Sequence, residues 1–139
     1  MKKIIYLLFF GIYSLTNAQE ITGQWTTFDE ATNTKKAIIE IYKLDNKYYG
    51  KIIKSYTAKP GKLCEKCTGD KYKKPIVNLV ILEDLKKVEG QYTDGNILDP
   101  ENGKTYDCNV ELIEKNKLKV RGFIGFSLLG RTQYWQRLQ

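Results

Sequence analysis

Few side chains in this 139-residue chain could carry chemistry, and their types exclude most catalytic mechanisms. Histidine is absent, which removes imidazole bases and histidine-ligated zinc or haem. An activated serine would need a lysine base, and no motif supplies one. The sequence therefore predicts no catalytic residue, no cofactor and no metal, and an enzyme is the least favoured class of protein.

The three cysteines are the most reactive groups that remain. Cys64 and Cys67 form a C-x-x-C pair in a loop rich in glycine, proline and lysine, and Cys108 stands alone. A redox pair needs a stabilised thiolate, usually at a helix N-terminus, and no helix signal follows. Zinc would need two further ligands. We predict a structural disulfide, with redox or metal roles as alternatives, and a buried, inert thiol at Cys108.

Oxygen-bearing side chains between residues 94 and 102 could be taken for a calcium site, but they lack the glycine that an EF-hand loop requires. Turn formation explains them better, because Asp and Asn side chains bond to their own backbone. We predict a tight turn at Asp99, Pro100, Asn102 and Gly103. Asp99 and Glu101 could also be read as the two carboxylates of a glycosidase. Such a pair must lie about 5–9.5 Å apart across a cleft, which the sequence does not indicate, so this role is not favoured.

The amino terminus has the order of a secretory signal peptide. Lys2 and Lys3 precede the apolar run from Ile4 to Leu15, and small residues lead up to Gln19. The run is too short to span a bilayer, which takes about 20 apolar residues. We predict a signal peptide over residues 1–18, one domain over residues 19–139, and a periplasmic or secreted protein without a transmembrane segment.

Removal of Lys2 and Lys3 lowers the net charge from +7 to +5, which is moderately basic. Such a charge is typical of a solvated surface. It also favours weak contact with an anionic envelope surface, such as lipid head groups. Lysine and arginine do not form a stripe with interleaved aromatic residues, so nucleic-acid binding is not expected.

Period-two alternation of apolar and polar residues predicts an all-β chain. Short hairpins favour an eight-stranded antiparallel up-and-down barrel, with a two-sheet sandwich as the alternative. A long loop, stapled by the C-x-x-C pair, interrupts the strands between Thr57 and Pro75. Strands are expected at Ile76–Leu82 and Val88–Tyr92. Between them, Glu83–Lys87 is the one helix candidate, about one turn long.

Two ends of the chain suggest barrel closure. Gly23 and Trp25 open the first strand, while Trp135 and Arg137 lie on the last. A guanidinium stacked on an indole contributes about 0.5–2 kcal/mol. The combination is similar to the lipocalin-like, or calycin, signature, in which these elements seal one end of the barrel.

Three sequence blocks are more specific: Gly95–Tyr106, Leu118–Gly125 and Gly130–Arg137. Together with the G-x-W and C-x-x-C motifs, they resemble the bacterial family called domain of unknown function 2147. The resemblance covers Gly23 to Arg137. It implies an exported, lipocalin-like barrel and no established activity.

The leading hypothesis is a barrel that binds a small apolar or amphipathic ligand. Arg121 and Phe123 share one strand face, and with Tyr106 and Arg131 they are the candidate ligand-binding residues. An anionic head group would lie near Arg121 or Arg131; for Arg121, a surface position in a salt bridge is the alternative. The alternative is a structural or envelope-interaction protein whose barrel is filled and whose basic loop, Lys59 to Lys74, contacts an acidic surface.

Overall fold

The predicted all-β barrel is confirmed by the computed structural model, which describes residues 11–12, 19–126 and 128–139. Eight antiparallel strands close into one barrel in sequence order. The predicted signal peptide lies outside the described residues, apart from Gly11 and Ile12. The strands are β1 Gly23–Phe28, β2 Lys35–Leu44, β3 Lys47–Ser55, β4 Val80–Val88, β5 Gln91–Asp99, β6 Lys104–Glu114, β7 Lys117–Phe123 and β8 Gly130–Arg137.

The predicted helical turn at Glu83–Lys87 is wrong, because this segment lies within β4. Asp84 has a φ of 59°, which interrupts the regular strand geometry. Leu82 and Leu85 are consequently both buried, three residues apart. That spacing imitates one helical turn, whereas a local irregularity in the strand produces it here.

The structure also corrects the predicted boundaries of the two strands on either side of this segment. The residues after Ile76 reach the sheet only at Val80, so the expected Ile76–Leu82 strand begins four residues late. The expected Val88–Tyr92 strand is instead a hairpin turn at 89–90 between β4 and β5. Asp94, for which a turn or bulge was expected, has a φ of 59° at an irregularity inside β5.

The barrel closes because the first strand pairs with the last. Trp25 lies opposite Arg137, and Thr26 lies opposite Gln136, in antiparallel register. Alternating residues of the strands then point into one apolar interior. In β2, for example, Ala37, Ile39 and Ile41 are all buried.

The two ends of the barrel carry different connections. The open end bears the turns after β1, β5 and β7 and the long loop of residues 56–79 between β3 and β4. The closed end bears the short turns at 45–46, 89–90 and 115–116, together with the segment that precedes β1. Among the described residues, helical structure is limited to one 3₁₀ turn, Gly69–Lys71, within the long loop.

Candidate functional site

The interior contains a cavity of about 450 Å³ in the half nearest the open end. A volume of 300–1,000 Å³ is typical of small-molecule sites. The deeper wall is mostly aliphatic, with one indole. Its apolar lining residues are Ala37, Ile39, Ile52, Ile81, Ile97, Leu98, Val120 and Trp135.

The rim of the cavity is polar, and its two cationic side chains, Lys36 and Arg131, are paired. Arg131 Nε lies 3.4 Å from a carboxylate oxygen of Glu30, and the Gln133 amide donates to the other oxygen at 3.1 Å. Lys36 Nζ lies 3.2 Å from Glu101. An apolar wall below a polar rim suits a molecule with an apolar body and a polar end.

The rim also contains the predicted turn at Asp99–Gly103, which is held by hydrogen bonds of its Asp, Asn and Gly residues. The backbone amide of Gly103 donates to Asp99 O at 2.8 Å, and the Asn102 side chain accepts from the amide of Lys104 at 2.8 Å. Of the Asn102–Gly103 pair, only Gly103 has a positive φ, 74°. The side-chain amide of Asn102 donates to the Tyr106 hydroxyl at 3.1 Å and so fixes this ring at the cavity wall.

The long loop is stapled beside that turn. The predicted disulfide between Cys64 and Cys67 is confirmed. Cys64 Sγ lies 3.7 Å from Pro100 O, a contact without hydrogen bonding because a disulfide sulfur carries no hydrogen. A Cβ on Gly103 would lie within 1.8 Å of Lys66 O, so the turn and the loop fit only with glycine here.

The cavity ends where the interior becomes filled. The rings of Tyr48 and Tyr92 meet edge to face, with centroids 4.9 Å apart. Leu85 packs onto Gly95 so closely that a Cβ at this glycine would lie 2.6 Å from Leu85 Cδ2. The half of the barrel near the closed end therefore has no room for a ligand.

The closed end is sealed by Trp25 and Arg137. The guanidinium lies 4.3 Å from the Trp25 ring centroid, and its nitrogens donate to Thr22 O, Glu20 O and Lys115 O at 2.9, 3.1 and 3.2 Å. The indole nitrogen of Trp25 donates to Ile21 O at 2.8 Å. Burial and the hydrogen bond to Glu20 raise the pKa of the Tyr48 phenol, so this hydroxyl stays neutral.

The structure brings three of the four candidate ligand-binding residues to the cavity. Tyr106, Phe123 and Arg131 line it. Leu118 and Val120 are buried on the inner face of β7, so Arg121 lies on the outer face, where it donates to the Thr132 hydroxyl at 3.0 Å. Phe123 shares this outer face and reaches the cavity because it ends β7 at the rim. Arg121 is not among the lining residues, and its place in the ligand site receives no support.

Several lining residues were missed by sequence reasoning. Gly122 faces the cavity, and a Cβ there would meet Ile97 and Tyr106 only at ordinary contact distances of 3.5 and 3.6 Å. Gln133 lines the cavity on the same face of β8 as Arg131. Alternation along β8 carries this signal, because Trp135 is buried and residues two and four positions earlier share its side. Ile124, which also lines the cavity, follows β7 and is exposed.

A second depression, of about 820 Å³, lies outside the barrel between the long loop and strands β3 and β4. It is larger than the inner cavity and slightly more open to solvent, and its basic lining is partly paired: Lys71 lies 3.1 Å from Glu83, and Lys62 lies 3.2 Å from Glu65. The inner cavity, with its mostly aliphatic deeper wall, is the better candidate for a specific site. The lysines that line the depression are Lys54, Lys59, Lys62, Lys71 and Lys74.

The remaining reactive group is the thiol of Cys108, which is free and buried, as predicted. Burial raises its pKa to about 12, so the thiolate is scarce at neutral pH. Within the described ranges, no three Asp, Glu or Cys side chains are grouped as metal ligands. In the same part of the chain, no helix has the length and apolar character to cross a membrane.

Comparison with known proteins gives the fold and the family. Protein HP1028 from Helicobacter pylori, described as belonging to the lipocalin family, superposes with a TM-score of 0.76. It is 23% identical, and the match covers 86% of this chain and 84% of that one, so the likeness extends to the fold alone. No curated protein matches the sequence. A family model described as "Uncharacterized protein conserved in bacteria (DUF2147)" matches residues 23–137, and the chain belongs to this family.

Proposed function

We propose that this protein binds a small amphipathic molecule, with the apolar part inside the barrel and the polar end at the rim. The observation that carries the proposal is the cavity of about 450 Å³, whose floor is apolar and whose rim is charged. Each methylene that is transferred from water into the cavity contributes roughly 0.8 kcal/mol to binding, so an alkyl chain would bind favourably.

The rim supports an anionic or hydrogen-bonding head group. Arg131 is already paired with Glu30, so a carboxylate on the ligand would exchange with that partner. Such an exchange in a largely exposed site changes the free energy of binding only modestly, by about 0.2–1 kcal/mol. The apolar chain supplies most of the affinity, and the head group sets the orientation.

Export is part of the proposal. The N-terminal pattern of residues 1–18 and the Cys64–Cys67 disulfide support an oxidising compartment, the periplasm or the exterior. A barrel of this kind would hold a poorly soluble molecule while the molecule is outside the cytoplasm.

Displacement of a naphthylamine fluorescence reporter by unbranched fatty acids of 8 to 16 carbons, roughly the range for a cavity of this volume, tests the proposal. We expect affinity to rise with chain length and then level off when the cavity is full. Fatty alcohols of the same length separate the contribution of the head group. Failure of both reporter and fatty acids to bind would refute the proposed function.

Two arginines provide a matched pair of variants for the same assay. Arg131→Gln should weaken binding of the acid relative to the alcohol about two- to fivefold, the size expected for an exposed ion pair. Arg121→Gln removes the same charge from the outer face and should leave the ratio unchanged. Equal effects of the two substitutions would show that the rim does not orient a head group.

A further inference from the structure

The connection between β7 and β8 is unusually apolar for a surface loop. We call residues 124–126 and 128–129, the described residues of this connection, the apolar loop. Four of its side chains are large and exposed: Ile124 at 63%, Phe126 at 75%, Leu128 at 90% and Leu129 at 68%. Single exposed apolar residues are ordinary, whereas a contiguous group marks an interaction surface.

The backbone of the apolar loop holds these side chains outward. The amide of Ile124 donates to Leu129 O at 3.1 Å, and the amide of Leu129 donates to Phe126 O at 3.0 Å. Gly125 has a φ of 69°, which permits the reversal of direction. The loop is a hydrogen-bonded turn, so its apolar side chains are presented at the end of a hairpin.

The apolar loop continues the wall of the cavity. Ile124 and Leu129 line the cavity near its opening, while Phe126 and Leu128 do not. Apolar surface therefore continues from the cavity wall, through Ile124 and Leu129, into the exposed β7–β8 connection, and the charged rim residue Arg131 follows two positions after Leu129. A bilayer accepts such a narrow apolar projection, because its side chains can enter the boundary between head groups and acyl chains.

The charge of the long loop, which lies at the same end of the barrel, determines which kind of bilayer would be favoured. Six lysines and two carboxylates lie between residues 57 and 75, at the same end of the barrel as the apolar loop. The acidic residues of the β1–β2 turn are occupied locally: Asp29 accepts backbone amides of its own turn, and Glu30 pairs with Arg131. Two of the six lysines are paired, Lys62 with Glu65 and Lys71 with Glu83, and the loop still carries an excess of positive charge. Positive charge at the same end as an apolar projection matches anionic head groups.

We propose that the apolar loop inserts into the surface of a bilayer containing anionic lipid, with the lysines of the long loop at the head groups. Phe126 and Leu128 are the inserting side chains. This docking does not require a ligand in the cavity, so it stands independently of the proposed function. In the docked orientation the open end of the barrel faces the membrane.

Co-sedimentation of the purified protein with phosphatidylcholine vesicles, with and without one quarter phosphatidylglycerol, tests the docking. Wild-type protein should bind the anionic vesicles more strongly, and added salt should weaken this binding. Phe126→Asp/Leu128→Asp should lower the partition coefficient about tenfold or more, because the variant loses the two apolar side chains that would enter the bilayer. Leu44→Asp/Val88→Asp is the matched control, since these exposed residues lie near closed-end turns.

Three results would overturn the docking proposal. One is absence of wild-type binding to anionic vesicles, and another is equal binding by the loop variant and the wild type. The third is a concentration-dependent dimer, seen by sedimentation velocity and abolished by Phe126→Asp/Leu128→Asp, since a second copy would then cover the loop. Circular dichroism of each variant verifies that the barrel is folded. Reporter binding in the cavity, measured without vesicles, distinguishes this failure from failure of the proposed function.

Discussion

The two ends of this barrel use the same strands for different purposes. At the closed end, Trp25 and Arg137 join the first and last strands, and Tyr48 and Tyr92 fill the interior. At the open end the same interior is a cavity of about 450 Å³. The difference arises from side-chain volume at inward positions and from the loops, because the hydrogen-bonded barrel is continuous between the two halves. We therefore expect stability to be concentrated at the closed end, and we propose that binding takes place at the open end.

The largest effect on the free energy of unfolding is expected when a large buried side chain is removed from the closed end. Trp25→Ala removes a fully buried indole and the platform of the Arg137 guanidinium, which should lower the free energy of unfolding by about 3–5 kcal/mol. Urea denaturation followed by circular dichroism measures the change. Phe123→Ala, at the partly exposed rim, should lower it by about 1 kcal/mol or less. A comparable loss from both substitutions would contradict the division into a stabilising end and a binding end.

A smaller effect is expected from the staple at the open end. Replacement of both Cys64 and Cys67 by alanine releases a very short cross-link, so the free energy of unfolding should fall by about 2 kcal/mol at most. Hydrogen exchange should quicken in residues 62–76 and in the turn at 100–103, which packs on the stapled loop. Exchange at the closed end should stay as in the wild type. Uniform loss of protection throughout the barrel would mean that the loop is part of the global stability.

Alternation along the strands was sufficient to predict the architecture, and the reason is physical. In β6, buried Cys108 and Val110 alternate with polar residues, as expected for a sheet with one apolar face. The first and last strands could be paired because Trp25 and Arg137 have complementary chemistry. In contrast, β4 was misread because the irregularity at Asp84 places Leu82 and Leu85 on one side. Local backbone geometry of this kind depends on tertiary packing, and sequence periodicity does not record it.

The candidate site was harder to predict than the fold. Arg121 and Arg131 are equivalent by composition, and only the strand register assigns one to the outer face and the other to the rim. The sequence did not indicate that Gly122 lines the cavity, because a glycine leaves space by having no side chain and so adds nothing to the pattern of apolar and polar residues. The exposed apolar side chains after β7 were not singled out from the sequence, since exposure is a tertiary property.

Two interior glycines give the most direct test that the barrel is hollow at one end and filled at the other. Gly122→Leu should abolish binding of the naphthylamine reporter and keep the free energy of unfolding within about 1 kcal/mol, because its Cβ has room. Gly95→Ala should retain binding at temperatures where the protein stays folded, while lowering the free energy of unfolding by about 1–3 kcal/mol, because its Cβ meets Leu85. If Gly122→Leu binds the reporter as tightly as the wild type does, the cavity is not the binding site and the central claim is contradicted.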